Sequence, residues 1–352
     1  MSQRHNGPSL QDQFNDARQR AVDIASEVQE RAREAQERAV ELARERAREA
    51  QERARRAAEQ LPPGLLVRLL SSLVGIPLLL LLVFAEGIAP YTALPFTFAV
   101  AICACVGGWE YFNAARLRGF QPTDGLAFVA IALLQFAAWG FTRALLTEFL
   151  PALLALLTIA TLIAEVLSHD REPVANIGVT FLGVIYVGWL FSYLIFLRAL
   201  PGETHVSVFG WQLPETARGA WIVLYVMAVT WSTDAGAYFA GVRWGRRPLA
   251  PRLSPKKTVE GSIGGLVAAT AMSLAWGVWI GLPWHHCLLL GPVLAILAQI
   301  GDLCESALKR DFGIKDFGAL LPGHGGILDR FDSLLFTAPF AYYYFLFVVG
   351  LR

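Results

Sequence analysis

The sequence predicts an all-α, polytopic integral membrane protein with about nine transmembrane helices, preceded by a long charged helix. Three observations carry that prediction. Hydrophobic residues make up 55% of the 352 positions and charged residues only 17%. The charges are unevenly placed: residues 1–60 are dense in Arg and Glu, with Phe14 as their one aromatic residue. From residue 64 onward, apolar runs alternate with short polar links, and many runs are long enough to cross a hydrocarbon core of roughly 30 Å. The length would suit two soluble domains, but those runs would not. A net charge of +1 gives no global basic field for nucleic acid. The first 60 residues lack an apolar central stretch, so no cleavable signal peptide is expected.

Residues 1–61 form the first segment. ERAREAQERA occurs at 30–39 and again at 45–54, and no Gly or Pro interrupts residues 9–61. Ala, Glu, Arg and Gln are good helix formers, so one helix is expected over 10–60, stopped by Pro62 and Pro63. Its apolar stripe is mostly alanine, and Ala32, Ala43 and Ala54 recur eleven apart, which favours a straight stripe over a heptad supercoil. A solvated helix held by Glu/Arg pairs, a weak self-association module and a membrane-surface helix all fit. None gives this segment a catalytic role.

Residues 64–352 form the second. Candidate spans are 65–86, 89–112, 125–146, 150–168, 176–198, 219–240, 262–282, 284–303 and 331–351. The links rich in Lys and Arg (116–118, 171, 242–261 and 304–330) all fall on the side of the N-terminus when nine spans are threaded. By the positive-inside rule that side is cytoplasmic, the inner face of the inner membrane if the cell is bacterial. The C-terminus then lies outside, and both of the most polar links face the compartment that holds nucleotides. Four cysteines sit in or beside apolar segments as ordinary thiols; Cys103 and Cys105, two apart, point to different sides of a helix. His285, His286 and Cys287 follow Pro283 on the opposite side and read as an interfacial turn.

Two polar regions carry the chemistry. In the first, Asp234 lies within an apolar span, where a carboxylate is costly and marks a functional candidate. A basic loop follows, ending in Ser254-Pro255-Lys256-Lys257-Thr258 at an apparent helix start. Backbone N–H groups there, with Lys and hydroxyl side chains alongside, suit an anion. The pattern of a Walker A loop is absent. Positive-inside anchoring is the competing explanation for the arginines at 243, 246 and 247.

The second region is LKRDFGIKDFGALLPGHGGILDRFDS, residues 308–333, preceded by Asp302 and Glu305. Asp302 and Glu305 are three apart, as are Asp329 and Asp332, so each pair shares one helical face. Lys309, Arg310, Lys315 and a glycine-rich turn at Pro322–Gly326 lie between them. Carboxylate pairs at neighbouring helix ends, with cations between, suit a hard divalent metal bridging phosphates. A salt-bridged cytoplasmic loop would show the same composition.

The residues Ser306-x-x-Lys309-Arg310-x4-Lys315-Asp316, then Pro322-Gly323-His324-Gly325-Gly326-x-x-Asp329-Arg330-x-Asp332, resemble the signature of the phosphatidate cytidylyltransferases, or CDP-diacylglycerol synthases. Ser254-Pro255-Lys256-Lys257-Thr258-x-Glu260-Gly261 and Asp234-x-x-Ala237-Tyr238 resemble that family too. The resemblance covers about residues 64–352, with the signature at 302–333; the N-terminal helix is outside the family pattern. It implies a reaction of CTP with phosphatidic acid to give CDP-diacylglycerol and pyrophosphate, with Mg²⁺ and with or without a second cation. A bilayer setting follows, and a homodimer is compatible with it.

The resemblance puts metal at Asp302 and Asp329, with Asp332 beside them. Lys309, Arg310 and Lys315 would act at the reacting phosphates. Ser254, Lys256, Lys257, Thr258, Asp234, Asp316, His324 and Arg330 would contact substrate. The rival readings are a CTP transferase for another lipid phosphate, a transporter and a scaffold. A transporter needs polar residues along several spans, whereas the middle spans carry few beyond Glu110, Gln135, Glu165 and Asp234.

Overall fold

The computed structural model describes residues 65–85, 93–143, 149–167, 172–204, 207–208, 211–212, 216–320 and 325–351. The chain divides into two units, Met1–Leu65 and Leu66–Arg352, and the second is the subject below. The charged helix expected over 10–60 lies outside the described residues, as does His324.

Among the described residues the helices are α1 (Leu65–Val83), α2 (Leu94–Leu117), α3 (Asp124–Thr142), α4 (Phe149–Leu167), α5 (Pro173–Arg198), α6 (Arg218–Trp244), α7 (Val259–Trp279), α8 (Trp284–Phe312) and α9 (Leu328–Val348). A helix stands at each position assigned from the sequence. Six of them, α2, α3, α5, α7, α8 and α9, are long and apolar enough to cross a membrane. α1 and α4 contribute shorter apolar stretches, Leu73–Val83 and Pro151–Leu167. α6 falls short because its second half carries Ser232, Thr233, Asp234 and Arg243. The fold is therefore all-α and polytopic, with six helices that qualify as spans where the sequence suggested nine.

Local chemistry sets the helix ends. Pro95 and Pro173 occupy the first turns of α2 and α5, where a missing N–H costs nothing. Thr258 caps α7, its Oγ1 accepting the Gly261 N–H at 3.1 Å. Gly313, at φ 74°, ends α8 in the left-handed conformation that glycine adopts freely. Short antiparallel strands, Pro248–Ala250 against Ser254–Thr258, fold the link between α6 and α7 into a hairpin. Two smaller strand pairs lie within 203–217.

Two helices change pitch without breaking. α5 passes through a π turn at Val184–Trp189 and α9 ends in one at Tyr344–Val348. The Gly188 carbonyl, within the first of these turns, accepts the Gln135 Nε2–H at 2.6 Å, giving the amide nitrogen of a buried side chain in α3 its partner. Between helices, hydroxyls pair at Thr230–Thr337 (3.0 Å) and Tyr193–Tyr343 (2.9 Å). Cross-helix bonds of this kind are worth roughly 1 kcal/mol each in a bilayer. His285–Cys287 form the first turn of α8, at the start of the span expected over 284–303; His286 Nδ1 meets the Tyr344 hydroxyl at 2.8 Å. Pro283 sits at the cap, where it starts a helix as readily as a turn.

Candidate active site

α8 is longer than its apolar run. The sequence places a link from residue 304, yet the helix continues to Phe312. Glu305, Ala307, Leu308, Lys309 and Arg310 all favour helix, and nothing breaks it before Gly313. The extension stacks Asp302, Glu305 and Lys309 along one face, and the Lys309 ammonium meets Glu305 at 2.8 Å. Glu305 is only 1% exposed.

α9 brings the second carboxylate pair. A Cβ on Gly301 would lie 2.8 Å from the Asp332 carbonyl oxygen, so a larger residue would push α8 and α9 apart beside Asp302. With glycine there, one carboxylate oxygen from each of Asp302, Glu305 and Asp332 lies within 4.8 Å of the others. Asp329, one turn earlier, faces a different set of donors. Its oxygens accept from Lys309 Nζ at 3.0 Å, from the Gly326 N–H at 2.9 Å and from the Phe317 N–H at 3.1 Å. Lys309 thus bridges the two carboxylate pairs, and Asp329 ties both ends of the signature loop to it.

The hairpin before α7 supplies the next cation. Side chains alternate along a strand. Lys256 is exposed, whereas Lys257 makes an ion pair with Asp302. The Lys257 Nζ has no well-aligned hydrogen-bond partner among the described residues. Thr258 is committed to its cap, and Ser254 opens the same strand. Arg310 reaches back to the Leu253 carbonyl at 3.4 Å, joining the hairpin to α8. Asp234, exposed on α6, lies near enough to Asp332, Asp302, Lys257 and Arg330 for their charges to act on it. Lys315, Asp316 and Arg330 are exposed around the rim.

A divalent ion fits this donor set on two grounds. Three carboxylates offer hard oxygens at mutual distances suited to a shared ion. In addition, the Glu305 Oε1 atom is buried with no hydrogen-bond partner among the described residues. An orphaned buried carboxylate oxygen is costly unless a ligand completes it.

Two residues in this arrangement were not singled out as site residues from the sequence. Glu305 was noted beside Asp302, and its i, i+3 spacing was the signal. Glu110, on α2, accepts the N–H groups of Ile327 and Leu328 at 3.0 and 2.9 Å, and no local pattern in the sequence points to that partnership.

The fold and the site together define a membrane-embedded helical protein with a mixed carboxylate and lysine centre at its helix ends. Residues 66–348 match the model of the cytidylyltransferase family. The phosphatidate cytidylyltransferase of Bacillus subtilis is 36% identical over 259 residues, covering 71% of this chain and 88% of that protein. That of Synechocystis is 35% identical over 292 residues, covering 79% and 95%. That of Staphylococcus haemolyticus is 32% identical over 278 residues, covering 78% and 96%. The chain belongs to the cytidylyltransferase family.

Proposed function

We propose that this protein is a phosphatidate cytidylyltransferase, joining CTP to phosphatidic acid to give CDP-diacylglycerol and pyrophosphate. The observation that carries the reading is the carboxylate triad Asp302, Glu305 and Asp332, set beside Lys257 and Lys309 at the polar ends of apolar helices. A lipid phosphate is anchored in a leaflet and CTP is a soluble polyanion. Their meeting needs an ionic centre at the edge of a bilayer.

In this mechanism a lipid phosphate oxygen attacks the α-phosphorus of CTP in line. The new P–O bond forms as the bond from the α-phosphorus to the bridging oxygen breaks, and the electron pair leaves with pyrophosphate. The lipid phosphate is already ionised near neutral pH, so no general base is required, and His324 is given a phosphate-contacting or structural role. Both reactants are anions, so positioning and charge neutralisation supply most of the acceleration.

Asp302, Glu305 and Asp332 are the residues that would hold Mg²⁺. The chemistry it supplies there is charge neutralisation at the α-phosphate and at the departing pyrophosphate. Asp329 orients Lys309 and the signature loop in this scheme. Lys257, Lys309, Arg310, Lys315 and Arg330 are the cations available to phosphates. Ser254, Lys256 and Thr258 border the nucleotide, and Asp234 and Asp316 flank it.

The site and N-terminus face the cytoplasm in this reading, supported by the Arg and Lys bias of the links. A homodimer rests on the family resemblance and is checked by light scattering of the detergent-purified protein.

The test is to incubate purified protein with CTP, phosphatidic acid and Mg²⁺, following pyrophosphate and lipid product together. Both products should appear in equal amounts, and Glu305→Gln should suppress both. Product from ether or isoprenoid phosphates alone would reassign the lipid. No product from any lipid phosphate would overturn the reading.

A further inference from the structure

Glu110 is a carboxylate in the last third of a qualifying span, Leu94–Leu117, and its residue is 0% exposed. Among the described residues, no lysine or arginine hydrogen-bonds or ion-pairs with it. Its two oxygens instead accept two successive backbone N–H groups, those of Ile327 and Leu328, at the entry to α9. A helix leaves its first N–H groups without intrahelical partners, and its N-terminus carries partial positive charge. A carboxylate there satisfies both needs at once. The partners are 217 and 218 residues away in the chain, so the contact is purely tertiary.

The loop is shaped to receive this group. A Cβ on Gly326 would come within 2.6 Å of both Glu110 oxygens, and one on Gly318 within 2.7 Å of its carboxyl carbon. Both arms of the signature loop therefore close on Glu110. Asp329 follows directly, holding the neighbouring Gly326 and Phe317 N–H groups and Lys309. Movement of the α9 entry would carry Asp329 and Asp332 with it, and those residues face Lys309, Asp302 and Glu305.

We infer that Glu110 is a positioning residue for cytidylyl transfer: it clamps the entry of α9 and so sets the Asp329 and Asp332 carboxylates against α8. The inference rests on the proposed reaction but concerns a residue outside the charged centre. It acts through backbone, so its loss affects the alignment of the reacting groups more than capture of the lipid in its apolar surroundings.

The experiment compares the unmutated full-length protein with E110A, E110Q, G326A and the E110A/G326A pair. E110A should lower kcat by roughly 10²-fold, the scale of a misplacement of about 1 Å. The KM for phosphatidic acid should stay unchanged. E110Q keeps one of the two acceptor oxygens and the side-chain shape, and should lose less than E110A. G326A should depress kcat in the unmutated background, where its Cβ meets the carboxylate, and have no further effect beside E110A. Hydrogen exchange at the Ile327 and Leu328 amides should quicken in E110A while exchange at Met227 in α6 does not.

Unchanged kcat in E110A, or a fall only in thermal stability with turnover per folded molecule retained, would overturn the inference. So would losses from E110A and G326A that simply multiply. Should E110A fail to fold, E110Q and G326A carry the same comparison. An unmutated protein that makes no CDP-lipid refutes the proposed reaction instead, and the amide exchange then still decides whether Glu110 holds the α9 entry.

Discussion

Two halves of the bundle bury polar groups in different ways. In α2–α5, most buried polar side chains are neutral, and the buried Arg198 is spent on the Val83 carbonyl of α1. Gln135 reaches the Gly188 carbonyl, Asn176 accepts the Gln121 N–H and donates to Glu165, and the Thr180 hydroxyl joins the Asn176 carbonyl to the Thr123 N–H. The unpartnered atoms there, such as the Tyr111 and Tyr186 hydroxyls, carry no charge. In α6–α9, charges crowd one place, and the atoms without hydrogen-bond partners among the described residues include Glu305 Oε1. A neutral orphan costs less than a charged one. A charged orphan is expensive and marks where a ligand completes the structure. Glu110 is the exception that joins the halves, a carboxylate from the first that organises the second.

That contrast can be broken experimentally, starting with the largest effect. Stripping divalent ions with a chelator should silence turnover, and Mg²⁺ should restore it; activity that survives chelation would remove the ion from the triad. Asp302→Asn and Asp332→Asn should each lower kcat by about 10²–10³-fold, the scale for losing a preorganised electrostatic group. Retained kcat in either would mean that the triad is only a salt-bridged loop. Gln135→Leu belongs to the other half and should act on stability alone. Its lost cross-helix bond is worth about 1 kcal/mol, read as a lower thermal midpoint, with kcat per folded molecule unchanged. A kcat defect there would erase the distinction between the halves. Least of all, deletion of residues 1–60 should leave basal turnover intact; a folded but inactive truncation would give that segment a catalytic part.

Much of this was legible in the chain. The bilayer fixes the length of an apolar run, so helices at all nine assigned positions could be found from hydropathy. Asp302, Asp329 and Asp332 stood out because they fall in carboxylate pairs three apart at helix ends and match the signature of the resembled family. The continuation of α8 did not stand out, because a hydropathy reading follows lipid-facing surface and stops where the helix turns polar. A link beginning at residue 304 leaves Lys309 off the helix, whereas it lies on the helical face that builds the site. The hairpin that aims Lys257 at Asp302 was hidden as well, since Ser254-Pro255-Lys256-Lys257-Thr258 reads as the approach to a helix start.

By itself, then, the sequence determined the class of molecule, the order of its helices and the types of charge available for phosphate chemistry. These depend on local composition, which each segment carries alone. Only the tertiary structure decided which carboxylates meet. Asp302, Glu305 and Asp332 converge because Gly301 lets α8 and α9 come close, and Asp329 turns to Lys309 because the loop donates its N–H groups there. Glu110 finds Ile327 and Leu328 across 217 and 218 residues for the same kind of reason. A buried charge has to be satisfied by whatever the packing brings near, and what comes near is a property of the folded bundle.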